Sequence, residues 1–243
     1  MKRNQISRRD FLRVAGITGG MVATGALIGW RTIQSVSGDP IPNLSPYTDS
    51  TELGESSGAG LCILMVSGDT SGNPLAVYLH EILTTEGFTG FHYLNASQES
   101  IENLEAYDLV LLAQSVYEQG QVEQFLSYVL NGGKLVVFRP ELALQKVMGI
   151  KPEGKLSNGY IRIDKEFPRG NEIFEDSVQF HGEADCYQLL EWDIYAWLAD
   201  SPMAETWHPA VFSRSIGLGR VIVWAYDLAS SVALTRQGNP AWV

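Results

Sequence analysis

Cysteine is scarce in this chain, and so is positive charge beyond its first 37 residues. The two cysteines, Cys62 and Cys186, are too few for a disulfide framework. Residues 1–37 contain six of the 17 basic and one of the 28 acidic side chains. The whole chain has a formal net charge of −11, and the residues after position 37 alone have a net charge of −16. Lysine and arginine supply most of the affinity of proteins for phosphate backbones. We therefore expect no nucleic-acid partner.

Several catalytic and cofactor motifs are missing. The loop that begins at Gly68 lacks the Gly-Lys-Ser/Thr of a phosphate-binding loop, and its Ser71 is misplaced for G-x-S-x-G. His80-Glu81 has no second histidine at H-E-x-x-H spacing. The segment His181–Cys186 has ligand-type residues but no later P-C-x-x-C, so we favour a polar surface turn over a metal site or a segment over the sheet edge. We expect no cofactor.

The N-terminal residues have the pattern of a targeting signal. Ser7–Arg13 reads S-R-R-D-F-L-R, which resembles a twin-arginine export signal through Arg8, Arg9, Phe11 and Leu12. The apolar run at 14–30 that follows has no polar face. The resemblance implies export by the twin-arginine translocase across the cytoplasmic membrane, into the periplasm or cell envelope. Residues 14–30 are at the short end for a membrane span, so both a cleaved signal and a retained anchor stay open.

Composition divides the chain into three parts. Residues 1–37 form the signal or anchor, and residues 38–58, with Pro40, Pro42 and Pro46, read as an extended tether. Residues 59–243 form one α/β domain. The chain stops abruptly at residues 239–243, which predicts a longer natural product.

The domain alternates buried strands with amphipathic helices. Apolar runs at 60–66, 91–94, 109–113 and 135–138 predict strands, and apolar residues at helical spacing over 122–130 predict a helix between the last two. This alternation predicts a parallel sheet with helices on both faces. Beyond Gly149 the pattern predicts short strands, a hairpin of 210–214 with 221–225, and a closing helix at 228–234.

The strand Leu135–Phe138 runs into a sharp turn, Arg139-Pro140-Glu141, and then a helix. Catalytic and binding groups of α/β proteins gather where parallel strands end. A hydrolase would carry a serine or cysteine in such a turn. This turn offers no nucleophile.

Polar side chains follow the strands at the same predicted edge. They suit a polyhydroxylated neutral ligand or a cation better than phosphate, and the candidate ligand-binding residues are Asp69, Ser71, Ser115, Arg139, Glu141 and Asp227. The alternative, slightly favoured, is that Arg139 pairs with Asp227 or Glu141 to neutralise buried charge.

The succession of LCILMVSGDTSG, YDLVLLAQ, VEQFLSYVLNGGKLVVFRP and GLGRVIVWAYDL resembles the class I glutamine amidotransferase-like superfamily, in particular its trehalose-utilisation-like branch and related exported proteins. The resemblance covers about residues 61–228. It implies a flavodoxin-like three-layer sandwich with a mostly parallel sheet, to which the C-terminal half adds β-hairpins. The family's elbow cysteine is absent at Arg139–Glu141, and Ala210 follows His208-Pro209 where a glutamate is expected. Glutaminase activity is therefore not expected.

Three functional hypotheses follow. The first is a non-catalytic envelope module that binds a small polar ligand, for example a carbohydrate, or a partner protein. The second is a glycan-directed hydrolase that uses paired carboxylates among Asp69, Glu141 and Asp227. The third is a structural fragment of a larger exported protein.

Overall fold

The computed structural model describes residues 62–164, 177–204 and 208–236. The predicted signal and tether lie outside the described residues. Within these ranges, no helix combines the length and the apolar character needed to cross a membrane.

The described chain forms eleven strands and four helices. A 3₁₀ turn at Pro74–Val77 leads into the first helix. The elements are β1 Ile63–Ser67, α1 Tyr78–Thr85, β2 Phe91–Asn95, β3 Leu109–Leu112, α2 Gln119–Leu130, β4 Lys134–Phe138, α3 Leu142–Met148, β5 Lys151–Ser157, β6 Tyr160–Ile163, β7 Val178–Gln179, β8 Glu183–Gln188, β9 Asp193–Ala199, β10 His208–Ile216, β11 Gly219–Trp224 and α4 Leu228–Arg236.

Nine of these strands form one mixed sheet, in the order β2-β1-β3-β4-β11-β10-β9-β6-β7. The strands from β2 to β11 pair in parallel. The strands from β11 to β7 pair antiparallel. The predicted α/β class and the predicted hairpin, now β10–β11, are confirmed. The antiparallel half has as many pairings as the parallel half, and β5 and β8 form a separate two-stranded ribbon.

Helices cover both faces of the parallel half. His80 of α1 stacks on Tyr93 of β2. The neighbouring His92 of β2 contacts the ring of Tyr107 edge-on. The Tyr107 carbonyl in turn accepts a hydrogen bond from the Tyr128 hydroxyl of α2. Consecutive strand residues point to opposite faces, so α1 and α2 lie on opposite sides of the sheet. Helix α4 contacts α1, and α3 contacts α2. Strands β1 and β3 are completely buried, and β4 is buried except at its first residue.

The structure confirms the strand at 135–138, the helix that follows its turn and the closing helix. Two strands, β5 and β9, were not predicted. Asn73, which precedes the 3₁₀ turn, makes no capping hydrogen bond with its side chain. Its side chain instead donates to the carbonyl of Gln114 at 3.2 Å and to Asp227 at 2.8 Å.

Candidate functional site

Arg139 occupies the turn directly after β4, and its φ angle is 41°. Positive φ is uncommon outside glycine, and it marks the sharp strand-to-helix turns that present nucleophiles in α/β hydrolases. The Arg139 backbone N–H donates to the carbonyl of Trp224 at 2.8 Å, which fixes the turn to β11. The chain therefore builds a nucleophile-elbow geometry and places a guanidinium at its apex.

Two carboxylates of β8 hold this guanidinium. Arg139 Nε and Nη2 donate to Oδ1 of Asp185 at 3.2 and 3.0 Å, and Nη2 donates to Oε2 of Glu183 at 2.8 Å. The prediction that Arg139 pairs with Asp227 or Glu141 is wrong. Asp227 is turned toward α4, and the Glu141 side chain makes no hydrogen bond to any described residue.

Strand β8 lies across the ends of the parallel strands. The Asp185 N–H donates to the carbonyl of Ala225 at 2.8 Å, and Ala184 forms an isolated bridge with Tyr226. The interpretation of His181–Cys186 as a polar surface turn is therefore wrong, and the alternative of a segment over the sheet edge is correct. Because Glu183 and Asp185 are two residues apart on a strand, both carboxylates point to one face.

The cluster extends on both sides of the ion pairs. Lys155 of β5 donates to Oε2 of Glu183 at 3.1 Å, and the Tyr187 hydroxyl donates to Oδ2 of Asp185 at 3.2 Å. Gln145 of α3 donates to the Pro140 carbonyl at 2.7 Å. The Gln145 Oε1 is buried and has no hydrogen-bond partner among the described residues. We name Arg139, Lys155, Glu183, Asp185, Tyr187 and Gln145 the elbow cluster.

The hydrogen bonds within the elbow cluster shift the pKa values of Arg139 and Glu183 in the directions that keep both groups charged. Burial alone would lower the pKa of Arg139, but hydrogen bonds to Asp185 and Glu183 outweigh burial and raise it. Hydrogen bonds from Arg139 and Lys155 lower the pKa of Glu183. Burial, followed by the neighbouring Asp185 charge, raises the pKa of Tyr187. Near neutral pH Arg139 is therefore a cation, Glu183 a carboxylate and Tyr187 a neutral phenol.

Asp227 is buried, at 3% exposed, and it connects two segments at the same edge of the sheet, an arrangement that we call the Asp227 clamp. Its Oδ1 accepts from the Ala229 N–H at 3.1 Å, and its Oδ2 accepts from the Ser230 hydroxyl at 2.5 Å and from Asn73. These contacts cap α4 and join it to the loop after β1. Asp227 thus has all its bonding directed into the protein, which argues against a role as a ligand-binding carboxylate.

The loop after β1 is held by the predicted residues Asp69, Ser71 and Ser115. Asp69 exchanges two backbone hydrogen bonds with Val116, while its carboxylate accepts from the Ser71 N–H at 2.9 Å and hydroxyl at 3.0 Å. The buried Ser115 hydroxyl accepts from the Gly68 N–H at 2.7 Å. A side chain at Gly68 would collide with the Val116 carbonyl, so this close approach requires glycine.

The predicted residues thus divide into groups. Asp69, Ser71 and Ser115 stabilise one loop, and Asp227 caps a helix. Arg139 belongs to the elbow cluster, and exposed Asp69 and half-buried Glu141 border the edge. Lys155, Gln145 and Tyr187 are not among the residues predicted from sequence, and Glu183 and Asp185 are predicted only as ligand-type residues of the segment His181–Cys186. A strand assignment for 183–188 would have revealed the two carboxylates on one face.

The elbow cluster includes no thiol, and none of the serines that the structure describes donates a hydrogen bond to it. Both cysteines are free: Cys62 precedes β1, and Cys186 is buried in β8, where burial raises its thiol pKa. A buried thiol of raised pKa is a poor nucleophile. No group of three or more histidine, cysteine, aspartate or glutamate side chains in the described ranges is arranged to hold a metal ion.

Comparison with protein-family models found no match, and a search of the curated proteins found none either. Solved structures do match. The exo-beta-1,4-mannosidase Op5Man5 from Opitutaceae bacterium strain TAV5 aligns with a TM-score of 0.53 and 12% identity, over 73% of this chain and 33% of its own. The beta-galactosidase from Bacillus circulans sp. alkalophilus aligns with a TM-score of 0.50 and 15% identity, over 72% of this chain and 31% of its own.

A smaller protein shares the fold over most of its length. Cytoplasmic protein STM1381 from Salmonella typhimurium LT2 aligns with a TM-score of 0.51 and 13% identity, over 69% of this chain and 88% of its own. This chain spans about a third of the length of the two glycosidases. At such identities the comparisons establish a shared α/β fold.

Proposed function

We propose that the domain binds a small polar ligand, with carbohydrate as the favoured class, at the elbow cluster without cleaving it. The observation that carries this proposal is the residue at the elbow apex. Arg139 has the positive φ of a nucleophile position, but it supplies a guanidinium held by Asp185 and Glu183. Such a group donates hydrogen bonds and cannot form a covalent intermediate.

The charge balance of the cluster supports a neutral ligand. Arg139 and Lys155 are matched by Glu183 and Asp185, so the site has little net attraction for an anion. The Glu183 side chain is 46% exposed and that of Lys155 is 61% exposed, so both can exchange water for ligand. Closely spaced donors and acceptors suit hydroxyl groups, which both donate and accept.

Thermal-shift titration of the full chain tests the proposal with maltose, cellobiose and trehalose, and with inorganic phosphate and Ca²⁺ as competing probes. We expect a saturable rise in Tm with at least one sugar. Lys155→Gln should weaken it at least threefold, because Lys155 contacts Glu183 at the open side of the cluster. Lys146→Gln, the same charge change at an exposed site on α3, should not. An unchanged Tm with every sugar would contradict the proposal. A rise in Tm with phosphate alone would contradict a neutral carbohydrate and indicate an anionic ligand.

The alternative is a glycan-directed hydrolase, and one distance relationship favours it. Glu183 and Asp185 both accept from the same Arg139 nitrogen, so their bonded oxygens lie at most about 6 Å apart. Retaining glycosidases separate their two carboxyl groups by about 5–5.5 Å. The partial likeness to two glycosidases supports the same class at the level of fold.

The protonation state disfavours that alternative. A glycosidase needs one carboxylic acid that stays protonated near neutral pH, with a raised pKa. Here Arg139 and Lys155 lower the pKa of Glu183. The three carboxylates named from sequence are weaker candidates still. Asp227 caps a helix and Asp69 closes its own turn, which leaves Glu141 without a second carboxylate of that set.

We further propose that the chain is exported through its twin-arginine-like segment, with the cytoplasmic membrane contacted by residues 14–30. Support comes from the motif with Arg8, Arg9, Phe11 and Leu12. Replacing Arg8 and Arg9 together by lysine should retain the protein in the cytoplasm, whereas Arg13→Lys, the same kind of change outside the arginine pair, should not. Cell fractionation measures both, and export of the double variant would contradict the proposal.

The finer fold assignment is also a proposal. The parallel strands lie in the order β2-β1-β3-β4-β11, which matches the 2-1-3-4-5 order of flavodoxin-like sheets. The elbow after β4 supports the resemblance to the amidotransferase-like superfamily. Its occupant, Arg139, supports a member without glutaminase activity.

A further inference from the structure

Strand β2 is an edge strand that lacks the features with which proteins usually protect sheet edges. Exposed edges are normally short, bulged, or occupied by lysine or proline, because their free N–H and C=O groups pair with other strands. β2 has five residues, F-H-Y-L-N, in regular register with β1. It lies within residues 87–98, a stretch without any aspartate, glutamate, lysine or arginine.

The other described edges are protected. At the far end of the large sheet, β7 has only two residues. The ribbon edge β5 contains Lys151, Pro152, Glu153 and Lys155, and its register shifts next to Gly154. The contrast within one chain indicates that the unprotected edge is not a general feature of this sequence.

The direction of the free backbone groups follows from one hydrogen bond. The Ala96 N–H donates to the Ser67 carbonyl at 2.7 Å, so it points toward β1. Because N–H groups alternate along a strand, those of Leu94 and His92 also point toward β1. The N–H and C=O groups of Phe91 and Tyr93 therefore point outward. Neither residue makes an outward backbone hydrogen bond to another described residue.

Aromatic side chains line this corner of the molecule. Tyr93 is 39% exposed and stacks on His80 with ring centroids 4.8 Å apart, and Phe88 is 42% exposed and stacks on Phe91 at 6.0 Å. Tyr78 on α1 is 43% exposed. Aromatic residues are enriched at protein interfaces, and charged residues are depleted at interface centres. The corner has both properties.

We propose that β2 pairs antiparallel with β2 of a second copy of this chain, so that two sheets join across a two-fold axis. A two-fold contact is self-complementary, and an antiparallel pair satisfies the outward groups of Phe91 and Tyr93 in both copies. Two chains of net charge −11 repel each other, so they associate best through an uncharged surface. A five-residue strand pair with its aromatic flanks makes a small interface, so we expect micromolar affinity.

Sedimentation equilibrium of the full chain tests the dimer, with His92→Glu and His92→Gln as matched variants. His92 is exposed in the middle of β2, and both substitutions leave the β1 pairing intact. A carboxylate there meets a partner strand without any compensating lysine or arginine on a like-charged molecule, so we expect His92→Glu to raise the dimer Kd at least tenfold. His92→Gln should change it less than threefold. A monomer at every concentration, or a dimer that His92→Glu does not weaken, would overturn the proposal.

Amide hydrogen exchange by NMR supplies a readout at single residues. The Tyr93 amide should exchange rapidly in dilute protein and become at least tenfold more protected as concentration rises. The Leu94 amide, bonded to β1 in either state, should stay protected throughout. Equal protection of Tyr93 at both concentrations would exclude pairing through this edge, even if the chain dimerises elsewhere.

Discussion

Arg139 and Asp185 meet in a two-nitrogen hydrogen-bonded contact, Nε and Nη2 to Oδ1 at 3.2 and 3.0 Å, across 46 residues of sequence. Both side chains are largely buried, at 13% and 14% exposed. The contact joins the turn after β4 to the strand that lies across the sheet edge. Removing either partner therefore affects both the shape of the edge and the charge balance within it.

Arg139→Ala should destabilise the domain by about 2–3 kcal/mol, because it leaves the partly buried Asp185 without its cation. Arg139→Gly removes the same contacts but tolerates φ of 41°. We expect the glycine variant to be more stable than the alanine variant by about 1 kcal/mol. Urea unfolding of both measures the difference. An alanine variant as stable as the glycine variant would show that the turn stores no backbone strain.

Substitutions in the Asp227 clamp should lower the free energy of unfolding by different amounts, according to how many hydrogen bonds each removes. Asp227→Ala loses the cap of α4 and the Asn73 contact together, so we expect a loss of about 2 kcal/mol or more. Asp227→Asn keeps a cap-forming side chain and should cost about half as much. Ser230→Ala removes one hydroxyl donor and should cost about 1 kcal/mol.

Urea unfolding of the single variants and of the Asp227→Ala/Ser230→Ala pair measures this series. The pair should cost less than the sum of its members, since both remove the same hydrogen bond. Additive losses would argue that the clamp does not act as one unit.

His181 should make stability depend on pH. Burial lowers its pKa below the ordinary value of 6.5, so the folded state binds fewer protons than the unfolded state below that pH. Stability should be full above pH 6.5 and should fall as the pH drops from 6.5 toward the lowered pKa of the folded state.

Tm measured between pH 7.5 and 5.5 tests this expectation. His181→Gln should flatten the slope in that interval, and His92→Gln, at an exposed histidine, should leave it unchanged. An unchanged slope in His181→Gln would assign the effect to another group.

Much of the fold is predictable because apolar spacing reports burial directly. The strand 135–138 is apolar throughout since both of its faces are covered, and α2 shows one apolar face because it lies on the sheet. Strand β5 escapes prediction for the opposite reason. It pairs only with β8, and all but one of its residues are exposed, so it has no apolar pattern.

The site was harder to predict than the fold because its contacts are distant in sequence. Arg139 lies two residues from Glu141, and a local pairing was a reasonable expectation. The actual partners lie 44 and 46 residues away on β8. Strand order decides which charges meet at a sheet edge, and the antiparallel additions that bring in β8 follow no local rule.

The most direct test of the central claim, that the elbow apex binds a ligand and catalyses nothing, combines binding and product analysis on one sample. The full chain is titrated calorimetrically with the sugar that raises its Tm, and the mixture is then assayed for new reducing ends. We predict saturable heat and no product over many hours. Release of product that is lost in both Glu183→Gln and Asp185→Asn would contradict this account and identify the pair as catalytic carboxylates.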